Sequence, residues 1–183
     1  KIEPKGVSLY VSVPFCPTRC QYCSFISQDV QGAKKKIPLY VEKLCQEIEE
    51  TGELLNQLRL HLQTVYYGGG TPTILEPHQL EKISDAIARS FDLSRVMEYT
   101  VEAGRPDTLT REKLEVLHKA GVSRISINPQ TFHDDILQRI GRKHTVDQLI
   151  ESFYLARACD FHNINMDLIA GLSGETPASF RHT

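Results

Sequence analysis

Three cysteines, Cys16, Cys20 and Cys23, fall within eight residues, in the string PFCPTRCQYCSF over residues 14–25. A CxxxCxxC spacing can wrap one compact loop around an iron–sulfur cubane, for which thiolates are the standard ligands. Three protein ligands leave one iron corner of such a cubane free for an external ligand. An open coordination position separates a catalytic centre from a closed structural one. Zinc on the same thiols is the alternative. Zinc takes four ligands, usually as two pairs, yet no second pair follows and no histidine lies near the loop. The two remaining cysteines, Cys45 on the apolar side of a helix and Cys159 at a helix end, read as small buried hydrophobes.

Other residues able to do chemistry recur at regular intervals. Gly68-Gly69-Gly70-Thr71-Pro72-Thr73 lets the backbone come close to a ligand and offer it N–H and C=O groups. A plain tight turn would need only one or two glycines. Glu102 ends an apolar stretch, so its carboxylate needs a ligand or a partner, Arg124 being the local choice. Asn128, Gln130 and Asp167 stand at comparable places further on. Arg142 sits in Gly141-Arg142-Lys143-His144, where a cation beside a helix C-terminus is the simpler reading. His144 receives no role, and His133 with Asp134 and Asp135 starts a helix, where acids suit the dipole.

The elements that must position these residues alternate. Residues 7–13 (VSLYVSV) are β-branched and aromatic and predict a strand. A loop over 14–36 carries the cysteines. Residues 39–58 predict a helix, with Leu39, Val41, Leu44, Ile48, Leu54, Leu55 and Leu58 roughly on one face. Further strands are expected at 62–67, 96–103, 123–128 and 163–170. Helices are expected at 77–91, 110–120, 134–140 and 145–159, with another starting at Thr176. Five strand–helix units in series imply parallel strands joined by right-handed crossovers. In such folds chemistry sits at the C-terminal ends of the strands, and the cysteine loop, Gly68–Thr73, Glu102, Asn128, Gln130 and Asp167 all fall at or near such ends.

The fold class expected is therefore α/β, a partial (β/α)6 barrel of the TIM type, truncated after about five βα units. A complete (β/α)8 barrel needs about 250 residues, and this chain has 183. Residues 1–183 read as one core domain cut from a longer chain, with parts missing on both sides. The formal net charge of −2 offers no bulk electrostatic reason to bind nucleic acid or a membrane surface. No run of about 18 apolar residues predicts a membrane span. Residues 1–6 lack a signal-peptide layout, and an odd count of five cysteines argues against a disulfide framework. A cytoplasmic monomer is expected.

CxxxCxxC after the first strand of a βα barrel, with aromatic Tyr22 before the third cysteine, resembles the radical S-adenosylmethionine (SAM) superfamily. The resemblance implies that Cys16, Cys20 and Cys23 hold a [4Fe–4S] cluster whose open iron is chelated by SAM. Reductive cleavage of SAM then gives a 5′-deoxyadenosyl radical. It also implies that SAM is bound by Gly69, Gly70, Thr71 and Glu102. Within the superfamily, YVSVPFCPTRCQYCSF, YYGGGTPT, TVEAGRPDT, SINPQTFHDDILQRIGRKHT and NMDLIAGLSGET look like the oxygen-independent coproporphyrinogen III oxidases. These strings span Tyr10 to Thr176. That likeness adds Gln130, Arg142 and Asp167 as SAM contacts and Tyr10 as a tyrosine near the cluster.

It further implies oxidative decarboxylation of coproporphyrinogen III to protoporphyrinogen IX in heme biosynthesis, with a reductant such as flavodoxin or ferredoxin as partner. The run from Ala103 to Asp107 and the Cys-Ser-Phe ending look most like the variant of anaerobic, clostridia-type bacteria. The best-known oxidases carry a fourth cysteine where Phe25 stands here. The related heme chaperones also lack it, so a heme chaperone on the same scaffold is the alternative. Another radical SAM activity, such as tRNA modification, is a third reading, weakened by the absence of a basic surplus.

Overall fold

In the computed structural model, residues 3–25 and 28–183 are described. The expectations for residues 1–2 at the start, and for 26 and 27 in the cysteine loop, lie outside these.

Five parallel strands form one sheet in the order β1-β4-β5-β6-β7. They are β1 (Gly6–Val13), β4 (His61–Gly69), β5 (Glu98–Glu102), β6 (Arg124–Ser126) and β7 (Ile164–Asn165). The helices between them are α1 (Val30–Ala33), α2 (Ile37–Gln57), α3 (Pro77–Ser90), α4 (Arg111–Lys119), α5 (Asp134–Arg139) and α6 (Val146–Ala158), with α7 (Pro177–His182) last. Each strand pairs with the one before it in the βα series, as a partial barrel requires.

One face of the sheet is apolar and the other polar, because successive side chains alternate. Val11, Val13, Val65, Tyr67, Tyr99, Val101 and Ile125 are buried under the helices. The opposite, inward face carries Ser8, Tyr10 and Ser12 on β1, Thr64 and Tyr66 on β4, and Thr100 and Glu102 on β5. Strand register lines Tyr10, Tyr66, Thr100 and Arg124 into one row across four strands.

Helix α2 differs from its expected face. Ile37, Val41, Leu44, Cys45 and Ile48 are buried, whereas Leu39, Leu54 and Leu58 are exposed. Val41, Leu44, Cys45 and Ile48 follow i, i+3, i+4, i+7 spacing. Leu39 lies two residues before Val41, about 200° round the helix, and faces away. Cys45 and Cys159 are buried, as free thiols that pack as hydrophobes.

The cysteine loop is more ordered than an irregular connection. Phe15–Cys16 forms a short strand, β2, paired in parallel with β3 (Gln28–Asp29). Asp29 then caps α1 by accepting a hydrogen bond from Gln31 N. Buried Phe15 packs edge-on against Tyr40 of α2, with ring centroids 5.2 Å apart. Strand β7 is shorter than the expected 163–170. Pro129 follows Asn128 and has no amide hydrogen to donate, so the ladder breaks there. Asp167 N donates instead to the side chain of Asn128, Oδ1 at 3.2 Å, and pairing returns as a single bridge between Gln130 and Leu168.

Candidate cofactor-binding site

A cavity of about 240 Å³ opens at the C-terminal ends of the strands. It brings together Cys16, Cys20 and Cys23 with Gly69, Gly70, Thr71, Glu102, Gln130, Arg142 and Asp167. These come from separate loops up to 151 residues apart in sequence, from Cys16 to Asp167. Tyr10 is the exception among the expected residues. It stands in the row below, 58% exposed and stacked on Tyr66 at 5.9 Å, and does not line the cavity. Its hydroxyl is pushed up by burial and by the Glu102 carboxylate.

The glycine loop is held against β1 and the cysteine loop chiefly by backbone hydrogen bonds. Gly70 N donates to Val13 O and Thr71 N to Phe15 O, each at 2.8 Å. Gly69 has φ +101°, a conformation costly for any side chain. A Cβ on Gly70 would lie 2.6 Å from Phe15 O and 2.9 Å from Cys16 Sγ. The loop therefore approaches the first thiol as closely as only glycine permits. Thr71 Oγ1 completes the contact by donating to Cys16 Sγ at 3.6 Å.

Glu102 accepts a hydrogen bond from Tyr66 Oη at 2.5 Å. The alternative of an ion pair with Arg124 is not realised; Arg124 faces Glu98 at 3.9 Å and Thr100 at 3.5 Å instead. Burial raises the carboxyl of Glu102, and neighbouring Asp167 adds to the rise against the lowering effect of the Tyr66 bond. Without a cation of its own, this carboxylate suits a ligand bearing positive charge or hydroxyl donors.

Arg142 is not a solvated helix-end cation. It is buried, and its Nη1 donates to Gly104 O at 2.9 Å and to Asn128 O at 2.8 Å, while Nη2 donates to Tyr22 Oη at 3.1 Å. It thereby ties the third βα loop, the fourth, and the aromatic residue before Cys23.

Several contributors carry no motif in the sequence. Tyr66 orients Glu102; its signal is its place on the inward face, two residues before the glycine run. Lys113 of α4 is buried and its Nζ donates to Thr73 O at 2.8 Å and Thr108 O at 3.0 Å, stapling the glycine loop to the loop after β5. Burial lowers this lysine. Arg105, buried beside Cys20, belongs to the same loop.

His144 is fully enclosed, with neither ring nitrogen bonded and Asp107 Oδ1 3.9 Å away. Burial, then Arg142, lowers its pKa from 6.5 to about 4. The folded state thus keeps this ring neutral while the unfolded chain takes up a proton below pH 6.5, so stability falls as the pH drops from about 6.5 towards 4. Thermal melts across that range should lose on the order of 2 kcal/mol from this group. His144→Leu should flatten that part of the profile, and an unchanged profile would refute the assignment.

The residues fit the expected groups. Among the described residues no three Cys, His, Asp or Glu side chains converge tightly enough to share one metal ion. Gln130 and Arg142 line the cavity, and Gln130 Oε1 and Arg142 Nε are buried without a hydrogen-bond partner. Gln130 is also held at φ +65°, an unusual backbone for a non-glycine residue.

The family profile of the radical SAM superfamily matches residues 10–183, and the chain belongs to that superfamily, whose members use a [4Fe–4S] cluster and SAM. Among its relatives, the oxygen-independent coproporphyrinogen-III oxidase-like protein HemZ of Bacillus subtilis is 45% identical over 178 residues, 97% of this chain and 36% of that protein. The heme chaperone HemW of the same bacterium is 42% identical over 180 residues, 96% of this chain and 45% of that protein. The structure of the radical SAM enzyme coproporphyrinogen III oxidase (HemN) from Escherichia coli superposes with a TM-score of 0.83 at 29% identity, covering 96% of this chain and 40% of that one. The chain thus spans less than half the length of these relatives. Among the described residues no helix is long and apolar enough to cross a membrane.

Proposed function

We propose that Cys16, Cys20 and Cys23 hold the [4Fe–4S] cluster and that SAM lies in the adjoining cavity, against Gly69, Gly70, Thr71, Glu102, Gln130, Arg142 and Asp167. The observation that carries this reading is their convergence on one cavity from six separate stretches of the chain. Held by these thiols, a cluster would supply the electron for reductive cleavage of SAM. The chain's own part is to bind and orient. Backbone of the glycine loop lies against the first thiol, and Glu102, fixed by Tyr66, offers its free carboxylate oxygen. Arg142 and Gln130 line the same space, and each keeps one buried atom, Nε and Oε1, without a protein partner.

The reaction we propose for the whole protein is oxidative decarboxylation of coproporphyrinogen III, turning propionate side chains into vinyl groups. The likeness to HemZ and to HemN supports it. A heme chaperone is the second reading, favoured by the similarity to HemW and by Phe25 in place of a fourth cysteine. A flavodoxin or ferredoxin fits the need for a one-electron reductant, and a cytoplasmic monomer agrees with the composition.

Anaerobic turnover separates the readings. Full-length protein with reconstituted cluster, SAM and reductant should release carbon dioxide and form protoporphyrinogen. Stoichiometric heme binding without porphyrin product would overturn the oxidase reading in favour of the chaperone.

A further inference from the structure

Arg105 lies three residues beyond Glu102, the last inward-facing carboxylate of β5, and only 4% of its side chain is exposed. All three guanidinium nitrogens are engaged. Nη1 donates to Cys20 Sγ at 3.3 Å, Nη2 to Thr18 Oγ1 at 2.8 Å, and Nε to Asp107 Oδ1 at 3.3 Å. Thr18 passes the contact on, its hydroxyl donating to Gly141 O at 2.7 Å. The backbone beneath is pinned as well: Arg105 O accepts from Thr108 N at 3.0 Å and from Thr108 Oγ1 at 2.8 Å. Thr108 in turn bonds Thr73 at 2.7 Å and is clamped by Lys113. A rigid planar fork is thus aimed at one sulfur and cannot swing away.

A structural staple between two loops would explain the bonds to Thr18 and Asp107. It does not explain why a buried cation spends a donor on a thiol, a weak acceptor when neutral. A thiolate shared with an iron–sulfur cluster is a far better partner, since ionised acceptors make the stronger bonds. Hydrogen bonds to cluster sulfurs and nearby net charge set the reduction potential of such clusters. Positive charge at Cys20 stabilises the reduced, more negative state.

We propose that Arg105 is a positioning residue that raises the reduction potential of the cluster through its bond to Cys20, with Thr18 and Asp107 holding its fork in place. This rests on the cysteine-loop reading above. It assigns the loop after β5 a redox role beside its contacts to the glycine loop.

Anaerobic redox titration of the reconstituted full-length protein, read by EPR of the reduced cluster, tests it. Arg105→Gln should lower the reduction equilibrium constant about tenfold, or ~59 mV for one electron, at unchanged iron and sulfide content. Arg105→Lys, which keeps the charge without the fork, should retain part of that difference. Asp107→Asn removes the neutralising carboxylate and should shift the potential upward. Wild-type potentials in loaded Arg105→Gln would overturn the proposal. Should Arg105→Gln fail to take up iron, an unmoved potential in both Arg105→Lys and Asp107→Asn overturns it instead. Full iron content in a Cys20→Ala variant is a separate result, which would refute the cluster assignment itself.

Discussion

Replacing Cys20 with alanine is expected to strip the anaerobically prepared protein of its cluster. Iron and inorganic sulfide should fall to background and the brown absorbance should vanish. Cys20 is one of three thiols on the cavity wall and the one to which Arg105 donates. With only Cys16 and Cys23 left, two corners of a cubane lack protein ligands and the loop has no fourth thiol to substitute, because Phe25 stands where one could lie. Cys45→Ala is the matched comparison. That thiol is buried under α3, with its Sγ 3.8 Å from Lys82 O. Its removal should cost about 1 kcal/mol of stability through a small void and leave iron content untouched. Retention of about three or more irons in Cys20→Ala, with normal SAM cleavage, would refute the ligand assignment.

The second large effect is expected from Gly70→Ala. One methyl group must occupy space 2.6 Å from a backbone oxygen and 2.9 Å from the Cys16 sulfur. Neither neighbour is the free end of a flexible side chain. Both strands of the contact are locked in register by the hydrogen bonds from Gly70 N and Thr71 N. The methyl therefore forces the glycine loop and the cysteine loop apart. Overpacking of this kind costs about 1–3 kcal/mol, and it opens the wall against which SAM is proposed to lie. SAM affinity, measured by calorimetry on reconstituted protein, should weaken at least tenfold, which corresponds to about 1.4 kcal/mol. Gly32→Ala in α1 is the control, since nothing lies within 4 Å of the Cβ it would gain. Its SAM affinity should match wild type. An unaltered melting temperature and SAM affinity in Gly70→Ala would show that the close approach has no functional weight.

Much of the site was legible before folding. Cys16, Cys20 and Cys23 could be found because a metal-binding loop is local: its ligands are adjacent in sequence. The glycine run was visible for the same reason. Glu102, Gln130 and Asp167 could be put at one rim because each lies at or near a strand end, while their assignment to SAM came from the family resemblance. Tyr10 was placed only by the family resemblance. In the sheet, however, register sets it in the row of Tyr66 and Thr100, below the cavity.

Arg105 and Arg142 show where reading along the chain stops. Nothing in the sequence singles out Arg105, and Arg142 by its residues alone looks like a helix-end cation. Both are buried, and each owes its burial to partners far away: Arg105 to Thr18 and Cys20, and Arg142 to Tyr22. The exposed leucines of α2 carry the same lesson, for hydrophobicity alone did not say which stripe meets the sheet.

From its residue order alone this protein could be read as a series of βα units with a three-thiol loop after the first strand, because ligand spacing and strand or helix periodicity are properties of neighbours. Only the tertiary structure decided which loops touch, that Tyr66 rather than Arg124 holds Glu102, and that a guanidinium reaches Cys20. Those contacts join residues 36 and 85 positions apart, and they depend on the register and curvature of the sheet, which no short stretch of sequence encodes.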